Sequence, residues 1–222
     1  MLEKKIIEGF SKIYTLPIMY KYFSERITKK DKYKLVELEH PMVTNRTSIS
    51  VNNTIPKLIY AGGLDRKQRN PSVIFEFFKK IHTQQSIEVI FYSYGNMQKK
   101  LLNLSENNRF FKANNAISST LLNEKIAKSD FIITIGNNEE DLVPSKIFDC
   151  ISTGKPIIHF SQIQNDPYKV YLSKYDYSII LRYSELNSDE AYNKILSFID
   201  EFRGKTVEFS KIKSNFYECT PE

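Results

Sequence analysis

Two aspartates, Asp141 and Asp149, stand with seven residues between them in the run Asp141-Leu142-Val143-Pro144-Ser145-Lys146-Ile147-Phe148-Asp149-Cys150-Ile151-Ser152-Thr153-Gly154-Lys155-Pro156-Ile157-Ile158. The run reads as a loop, a helix and a strand. Pro144 suits a first helical turn, Gly154 a helix stop, and Pro156 to Phe160 a strand. Ser145 and Lys146 then fall in the first turn, where free N–H groups and the helix dipole favour an anion. A lysine there opposes the dipole unless a phosphate is bound. Asp149 lies one turn further on and leans toward the helix start. Its carboxylate can accept two hydroxyl hydrogen bonds, as from a ribose. Asp141, ahead of the helix, would face a sugar.

A second segment suits the same chemistry: Gly62-Gly63-Leu64-Asp65-Arg66-Lys67-Gln68-Arg69-Asn70-Pro71. Its paired glycines let a ligand approach the backbone. Arg66, Lys67 and Arg69 supply cations, and Asn70-Pro71 supplies a cap and first turn for the next helix. Such a loop suits a diphosphate, although it lacks the G-x-G-x-x-G spacing of a dinucleotide fingerprint. Taken singly, each residue also has a plainer reading. The arginines read as exposed charges beside a tight turn, Asp141 as one of three acids in a solvated loop, and Asp149 as surface.

The elements that must position these residues follow from the apolar pattern. Lys57 to Ala61, Ile87 to Tyr92, Phe110-Phe111, Phe131 to Ile135, Pro156 to Phe160 and Ser178 to Leu181 read as strands. Several are continuous aliphatic or aromatic runs, as expected of a parallel sheet covered on both faces. Between them lie helical patterns over Ser72–Ile81, Met97–Leu104, Ser119–Lys128, Pro144–Thr153 and Tyr168–Ser173. A last helix spans about Asp189–Phe202. This alternation predicts an α/β, Rossmann-like, doubly wound parallel sheet from about residue 56 to 222. With strand order 3-2-1-4-5-6, the two unusual loops leave strands 1 and 4, where ligands bind in such sheets. Ahead of it, residues 1–55 read as a short helix over Glu3–Phe10, a strand at Lys12–Leu16, a helix over Pro17–Arg26 and a strand at Lys34–Leu38. An aperiodic, Thr/Asn/Ser-rich linker then runs from Pro41 to Pro56.

Composition bounds the function. The 222 residues carry 41% hydrophobic and 26% charged side chains, ordinary for a soluble globular protein. The formal charge of +6 is spread along the chain without a basic–aromatic cluster, which argues against a nucleic-acid partner. No apolar run reaches membrane-spanning length and no signal core follows the start, so a cytoplasmic protein is expected, with peripheral attachment to the inner membrane face left open. Cys150 sits among apolar residues and reads as core, and neither cysteine has a metal-ligand spacing. His40, His82 and His159 also lack ligand spacing, so no metal is expected. No nucleophile elbow is present.

The Asp141–Asp149 unit resembles the donor-binding element of retaining nucleotide-sugar glycosyltransferases of the GT-B fold, the group 1, family 4-like members. There an E-x7-E pair precedes a G-K-P-(I/V)-I strand. Here both acids are aspartates, each one methylene shorter. The family usually has an arginine where Gly63 stands, and Arg69 is the substitute phosphate ligand. The resemblance runs from about Leu58 to Leu181, and more loosely back through Tyr14-Thr15-Leu16-Pro17 and His40-Pro41-Met42. It implies a nucleoside-diphosphate sugar as donor, uridine diphosphate being favoured on family frequency, with no cofactor and no metal. It implies hexosyl transfer to a glycan or lipid-linked acceptor in cell-surface polysaccharide or glycoconjugate synthesis. By the same resemblance Asp141 is the catalytic candidate. Gly62, Gly63, Arg66, Arg69, Ala113, Pro144, Ser145, Lys146 and Asp149 hold the nucleotide, Ala113-Asn114-Asn115 lying after the third strand near the base. The chain looks like the second domain of such an enzyme plus the last strand–helix piece of the first, and residues Asn215 to Glu222 look like the approach to a further crossing helix. An acceptor-domain protein partner is one expectation, with little or no transfer by this chain alone. Two other readings stand beside it: a nucleotide-binding or regulatory module without turnover, and an unrelated doubly wound interaction domain.

Overall fold

The computed structural model describes residues 9–46, 50–140, 142–143 and 145–221. Asp141 and Pro144 lie outside the described residues, as does most of the expected Glu3–Phe10 helix. The chain runs β1 (Ile13–Thr15), α1 (Pro17–Arg26) and β2 (Leu35–Glu37), then β3 (Lys57–Gly63), α2 (Ser72–Gln84), β4 (Glu88–Tyr94), α3 (Gln98–Glu106), β5 (Phe111–Asn115) and α4 (Ser119–Ala127). It continues through β6 (Phe131–Ile135), α5 (Lys146–Ser152), β7 (Ile157–Ser161), α6 (Tyr168–Leu172), β8 (Ser178–Arg182), α7 (Asp189–Phe202) and α8 (Phe209–Asn215).

Strands β3 to β8 form one six-stranded sheet in the order β5-β4-β3-β6-β7-β8, parallel throughout. This is the expected doubly wound order, reversing between β3 and β6. Strands β1 and β2 pair in parallel as a separate two-stranded sheet, joined across α1.

The period-two pattern of each central strand decides which layer its side chains enter. Leu58, Tyr60, Phe131, Ile133, Ile158 and Phe160 point to one face, where α2 supplies Phe77 and Phe78 and α7 supplies Ile195 and Ile199. Ile59, Ile132 and Ile157 point to the other, against Ile147, Phe148 and Ile151 of α5 and Leu172 of α6. Every residue of β6 and β7 is buried, as the unbroken apolar runs require. Helix α5 stops where Gly154 takes φ 73°, a left-handed conformation that L side chains rarely adopt.

Four boundaries differ from the sequence reading. The paired glycines belong to β3 rather than to the following loop, because the ladder continues through Gly62↔Ser93 and Gly63↔Tyr94. Ala113, Asn114 and Asn115 lie within β5, paired with Phe91, Tyr92 and Ser93, rather than after it. A helix absent from the sequence reading, α8, leads into a single tight turn at Tyr217–Cys219. The described parts of the aperiodic stretch, residues 41–46 and 50–56, are fastened to the sheet domain: Val43 is fully buried and its N–H donates to the Cys219 carbonyl at 2.8 Å. Thr44 N–H donates to Ser152 Oγ at 3.0 Å, and Asn53 Nδ2 to Asp130 Oδ2 at 2.9 Å. The reason is chemical rather than periodic. One valine and a few short polar side chains suffice to dock an irregular segment whose backbone groups need partners.

Lys155, ahead of β7, is 1% exposed and donates from Nζ to the Ser129 carbonyl at 2.6 Å. Burial lowers its ammonium from an ordinary 10.5 to about 8, against the pull of Asp130. The unfolded chain therefore binds this proton more tightly, so the stability contribution is complete above 10.5 and falls as pH drops through about 8. Urea denaturation of the parent and Lys155→Met between pH 7.5 and 10 should show the parent gaining stability relative to the variant as pH rises. A pH-independent difference would contradict this account of the lysine.

Candidate functional site

The reversal of strand order leaves a crevice beyond the carboxyl ends of β3 and β6. The segment leaving β3 is held as a preformed turn. Asp65 Oδ1 accepts the N–H groups of Lys67 and Gln68 at 2.8 and 3.0 Å, and Asn96, beyond β4, donates from Nδ2 to Asp65 Oδ2. These backbone donors, Lys67 first, hold the Asp65 carboxyl below its ordinary value. Asn96 Oδ1 in turn accepts Arg66 N–H at 2.9 Å.

The segment leaving β6 is stitched to the first one. Arg69 Nε donates to Asn137 Oδ1 at 2.7 Å, and Gln68 Nε2 to Glu139 Oε1 at 2.8 Å. Gln162, beyond β7, donates from Nε2 to the carbonyls of Gly136, at 2.7 Å, and Gln68. Three strand ends thus share one polar network.

Beneath it lies a second, buried network. His159 Nε2 and Asp166 Oδ2 are 2.9 Å apart, and His159 Nδ1 is 2.8 Å from Thr134 Oγ1. Burial lowers the His159 pKa despite the pull of Asp166, so the ring is neutral near pH 7. Its Nε2–H donates to the carboxylate and its Nδ1 accepts the threonine hydroxyl. Burial pushes the Asp166 carboxyl up, but hydrogen bonds from His159 and from Tyr168 N–H leave it below its ordinary value. Gly136 sits against this carboxylate: a Cβ there would lie 2.2 Å from Asp166 Oδ2.

Gly62, Arg69 and Lys146 line one small apolar-walled cavity of about 40 Å³ at the β3–β6 crevice, with Tyr60, Cys150 and Tyr168. Arg69 also interacts with the phenol of Tyr60, whose pKa burial raises and Arg69 opposes. No carboxylate lines this cavity among the described residues. Gly63 faces a larger open cleft of about 410 Å³, and a Cβ on it would meet the Tyr94 ring at 3.0 Å. Arg66 is exposed and lines neither space. Ser145 is exposed ahead of α5 and its side chain caps nothing. Ala113 stands on the edge strand, its N–H donating to Ser105 Oγ at 3.1 Å. Asp149 lines neither space. Its Oδ1 accepts from Arg46 Nη1 at 2.7 Å, both side chains being about half exposed. The structure thus gathers Gly62, Arg69 and Lys146, and leaves Ala113 and Asp149 apart from them.

The residues that organise the site without a motif are Asp65, Asn96, Asn137, Gln162 and the His159–Asp166 pair. Asp65, two and three residues before the N–H groups it accepts, and Asp166, two residues before Tyr168 N–H, had a local signal, that of an Asx turn. Asn96, Asn137 and Gln162 act across 26 to 94 positions of sequence, and His159 reaches Asp166 and Thr134 across 7 and 25.

No family model matches this sequence, and no curated protein sequence matches it. Solved structures do match in three dimensions. The apo form of the lipopolysaccharide outer core galactosyltransferase WaaB superposes with TM-score 0.65 at 14% identity, over 93% of this chain and 58% of that one. WaaG, a glycosyltransferase involved in lipopolysaccharide biosynthesis, gives 0.61 at 12% identity, over 96% and 58%. The catalytic domain of starch synthase IV from Arabidopsis thaliana, bound to ADP and acarbose, gives 0.51 at 10% identity, over 99% and 54%. This chain therefore spans little more than half the length of these structures, and identities so low establish the fold alone.

Gly136→Ala should destabilise the protein by about 1–3 kcal/mol, since the added methyl must displace a buried carboxylate bonded to His159. Urea denaturation measures this directly. An unchanged midpoint would show that the Asp166 side chain is free to move aside.

Proposed function

We propose that this chain, whose fold is that of the C-terminal domain of the GT-B glycosyltransferases, holds the nucleoside diphosphate of a sugar donor. In this reading it is the donor-binding portion of a retaining, metal-independent glycosyltransferase. The observation that carries the reading is that Arg69 and Lys146 line the same part of the β3–β6 crevice, beside Gly62 and without a carboxylate among its described lining residues. Two cations beside a backbone free of side chains suit a diphosphate. Asn137 accepts from Arg69 Nε, so the guanidinium is oriented before a ligand arrives. When the bond from the sugar to the diphosphate breaks, negative charge builds on the leaving phosphate oxygen, where these cations oppose it. The sugar passes to an acceptor oxygen supplied by a glycan or a lipid-linked saccharide.

Uridine diphosphate is the nucleotide this reading favours, and Asp141 the carboxylate assigned to the sugar. Transfer needs both reactants held in one geometry. An acceptor domain, in the same protein or a partner, completes the enzyme, at work in the cytoplasm on cell-surface polysaccharide or glycoconjugate. The fold neighbour that holds ADP supports a nucleotide ligand at this level only. Among the described residues no helix is long and apolar enough to cross a membrane.

A second reading, nucleotide binding without turnover, draws on the ion pair between Arg46 and Asp149. A ribose at this carboxylate competes with Arg46 for Oδ1. An exposed pair of this kind is worth about 0–1 kcal/mol, so the barrier it sets is small.

Calorimetry should show uridine diphosphate binding to the isolated chain, and Arg69→Ala and Lys146→Ala each weakening it about 10- to 150-fold, with uridine nearly unaffected. Absence of binding by any nucleoside diphosphate at millimolar concentration would remove the reading's support. Arg46→Ala should tighten uridine binding by no more than about fivefold, because it frees Asp149 from a weak pair. Weaker uridine binding in that variant would contradict the ribose role of Asp149.

A further inference from the structure

Away from the crevice, toward the amino ends of the strands, β4 and β5 turn a charged face outward. Val89, Phe91, Phe111 and Ala113 enter the core beneath α2 and α3, so Glu88, Ile90, Tyr92 and Lys112 must face the other way. Helices normally seal this second face of a parallel sheet. Here the helix beside it, α4, has no buried residue, and Ile90 and Tyr92 stay half-buried. The outcome is a groove of about 270 Å³ in which Ile90 and Tyr92 meet Lys57, Lys112, Lys125 and Lys128.

The charge in this groove is one-sided. Lys125 and Lys128 are three positions apart at the end of α4 and share one side of it. Glu88 is the one carboxylate among the described lining residues, and it is paired with Lys112. Asp130, buried close by, is engaged by Lys57 N–H at 2.8 Å and by the Asn53 amide at 2.9 Å. Like charges gathered around one hollow repel, and an acidic occupant relieves that repulsion.

The surroundings say what kind of acid fits. The lysines are spread over β3, β5 and α4, and no arginine lines the groove among the described residues, so the charges match several spaced carboxylates better than one phosphate. The edge of β5 is closed to a further strand. Ser105 Oγ of α3 accepts Ala113 N–H at 3.1 Å and donates to the Phe111 carbonyl at 3.3 Å, and Gln98 Nε2 donates to the Asn114 carbonyl at 3.0 Å. The apolar residues lie within a hollow, which a flat bilayer surface does not enter. We infer that the groove docks an acidic, amphipathic helix of a protein partner, its apolar side on Ile90 and Tyr92 and its carboxylates beside the four lysines. From Glu88 to Tyr92 the floor runs about 13 Å, the length of about nine helical residues. None of these lysines lines the crevice spaces, so the inference is independent of the diphosphate reading.

Fluorescence anisotropy on the whole chain tests it, with a short labelled helical peptide carrying leucines on one side and glutamates on the other. The peptide should bind, its glutamine counterpart should not, and added salt should weaken the complex. Lys125→Glu combined with Lys128→Glu should weaken binding about 5–30-fold. Lys79→Glu combined with Lys99→Glu makes the same change of net charge on α2 and α3, and should leave it within about twofold. Uridine diphosphate should not displace the peptide. No binding at millimolar concentration, equal losses in the two double variants, or displacement by uridine diphosphate would overturn the inference. Phosphatidylglycerol vesicles and a second copy of the chain are read in parallel, by cosedimentation and analytical ultracentrifugation. Vesicle binding or self-association that Lys125→Glu with Lys128→Glu abolishes, while peptide binding is indifferent to it, would give the groove to that occupant and overturn the partner helix.

Discussion

The parallel sheet reverses its winding between β3 and β6, and the functional geometry depends on that reversal. β3 is hydrogen-bonded to β4 on one side and to β6 on the other. The connections from these two strands leave toward opposite faces, so neither helix can cover the gap between their carboxyl ends. The reversal itself is held by apolar burial. Leu58, Ile59 and Tyr60 pair with Phe131, Ile132 and Ile133 in register, and their side chains alternate between the two cores. Each such side chain contributes about 1.5–3 kcal/mol on burial.

Polar chemistry then shapes what the reversal leaves open. Arg69 and Asn137 join the two sides of the crevice, and Gln162 brings in β7. Under them the neutral His159 ring, bridging Thr134 and Asp166, satisfies buried groups that would otherwise cost folding free energy. Gly136 has no room for a side chain because of that network. Stability and site geometry are thus the same set of contacts at this end of the sheet. At the opposite end Lys155 and Ser129 play a purely structural part.

Much of this was legible in the sequence because it rests on local periodicity and punctuation. The unbroken apolar runs of β6 and β7, the Gly154 stop and the alternation of strand with helix gave the strand order and hence the place of the crevice. Arg69 and Lys146 were legible as cations beside strand ends. What escaped reading depends on partners far along the chain. Gly62 and Gly63 look like turn residues until β4 is laid beside them, and Ala113 looks like a turn until β5 pairs with β4. Asp149 looks free until Arg46, from a segment without apolar period, is docked against α5. Asn137 has no motif at all, and its importance comes from the guanidinium that fixes one end of its amide across 68 positions of sequence.

The central claim is that the segments leaving β3 and β6 act as one ligand site. Hydrogen-exchange mass spectrometry with and without saturating uridine diphosphate tests it most directly. The account predicts joint protection of peptides covering residues 62–71 and 136–146, with the strand starts at Lys57, Glu88 and Phe111 unchanged. Protection confined to one segment, or centred on those strand starts, would contradict it.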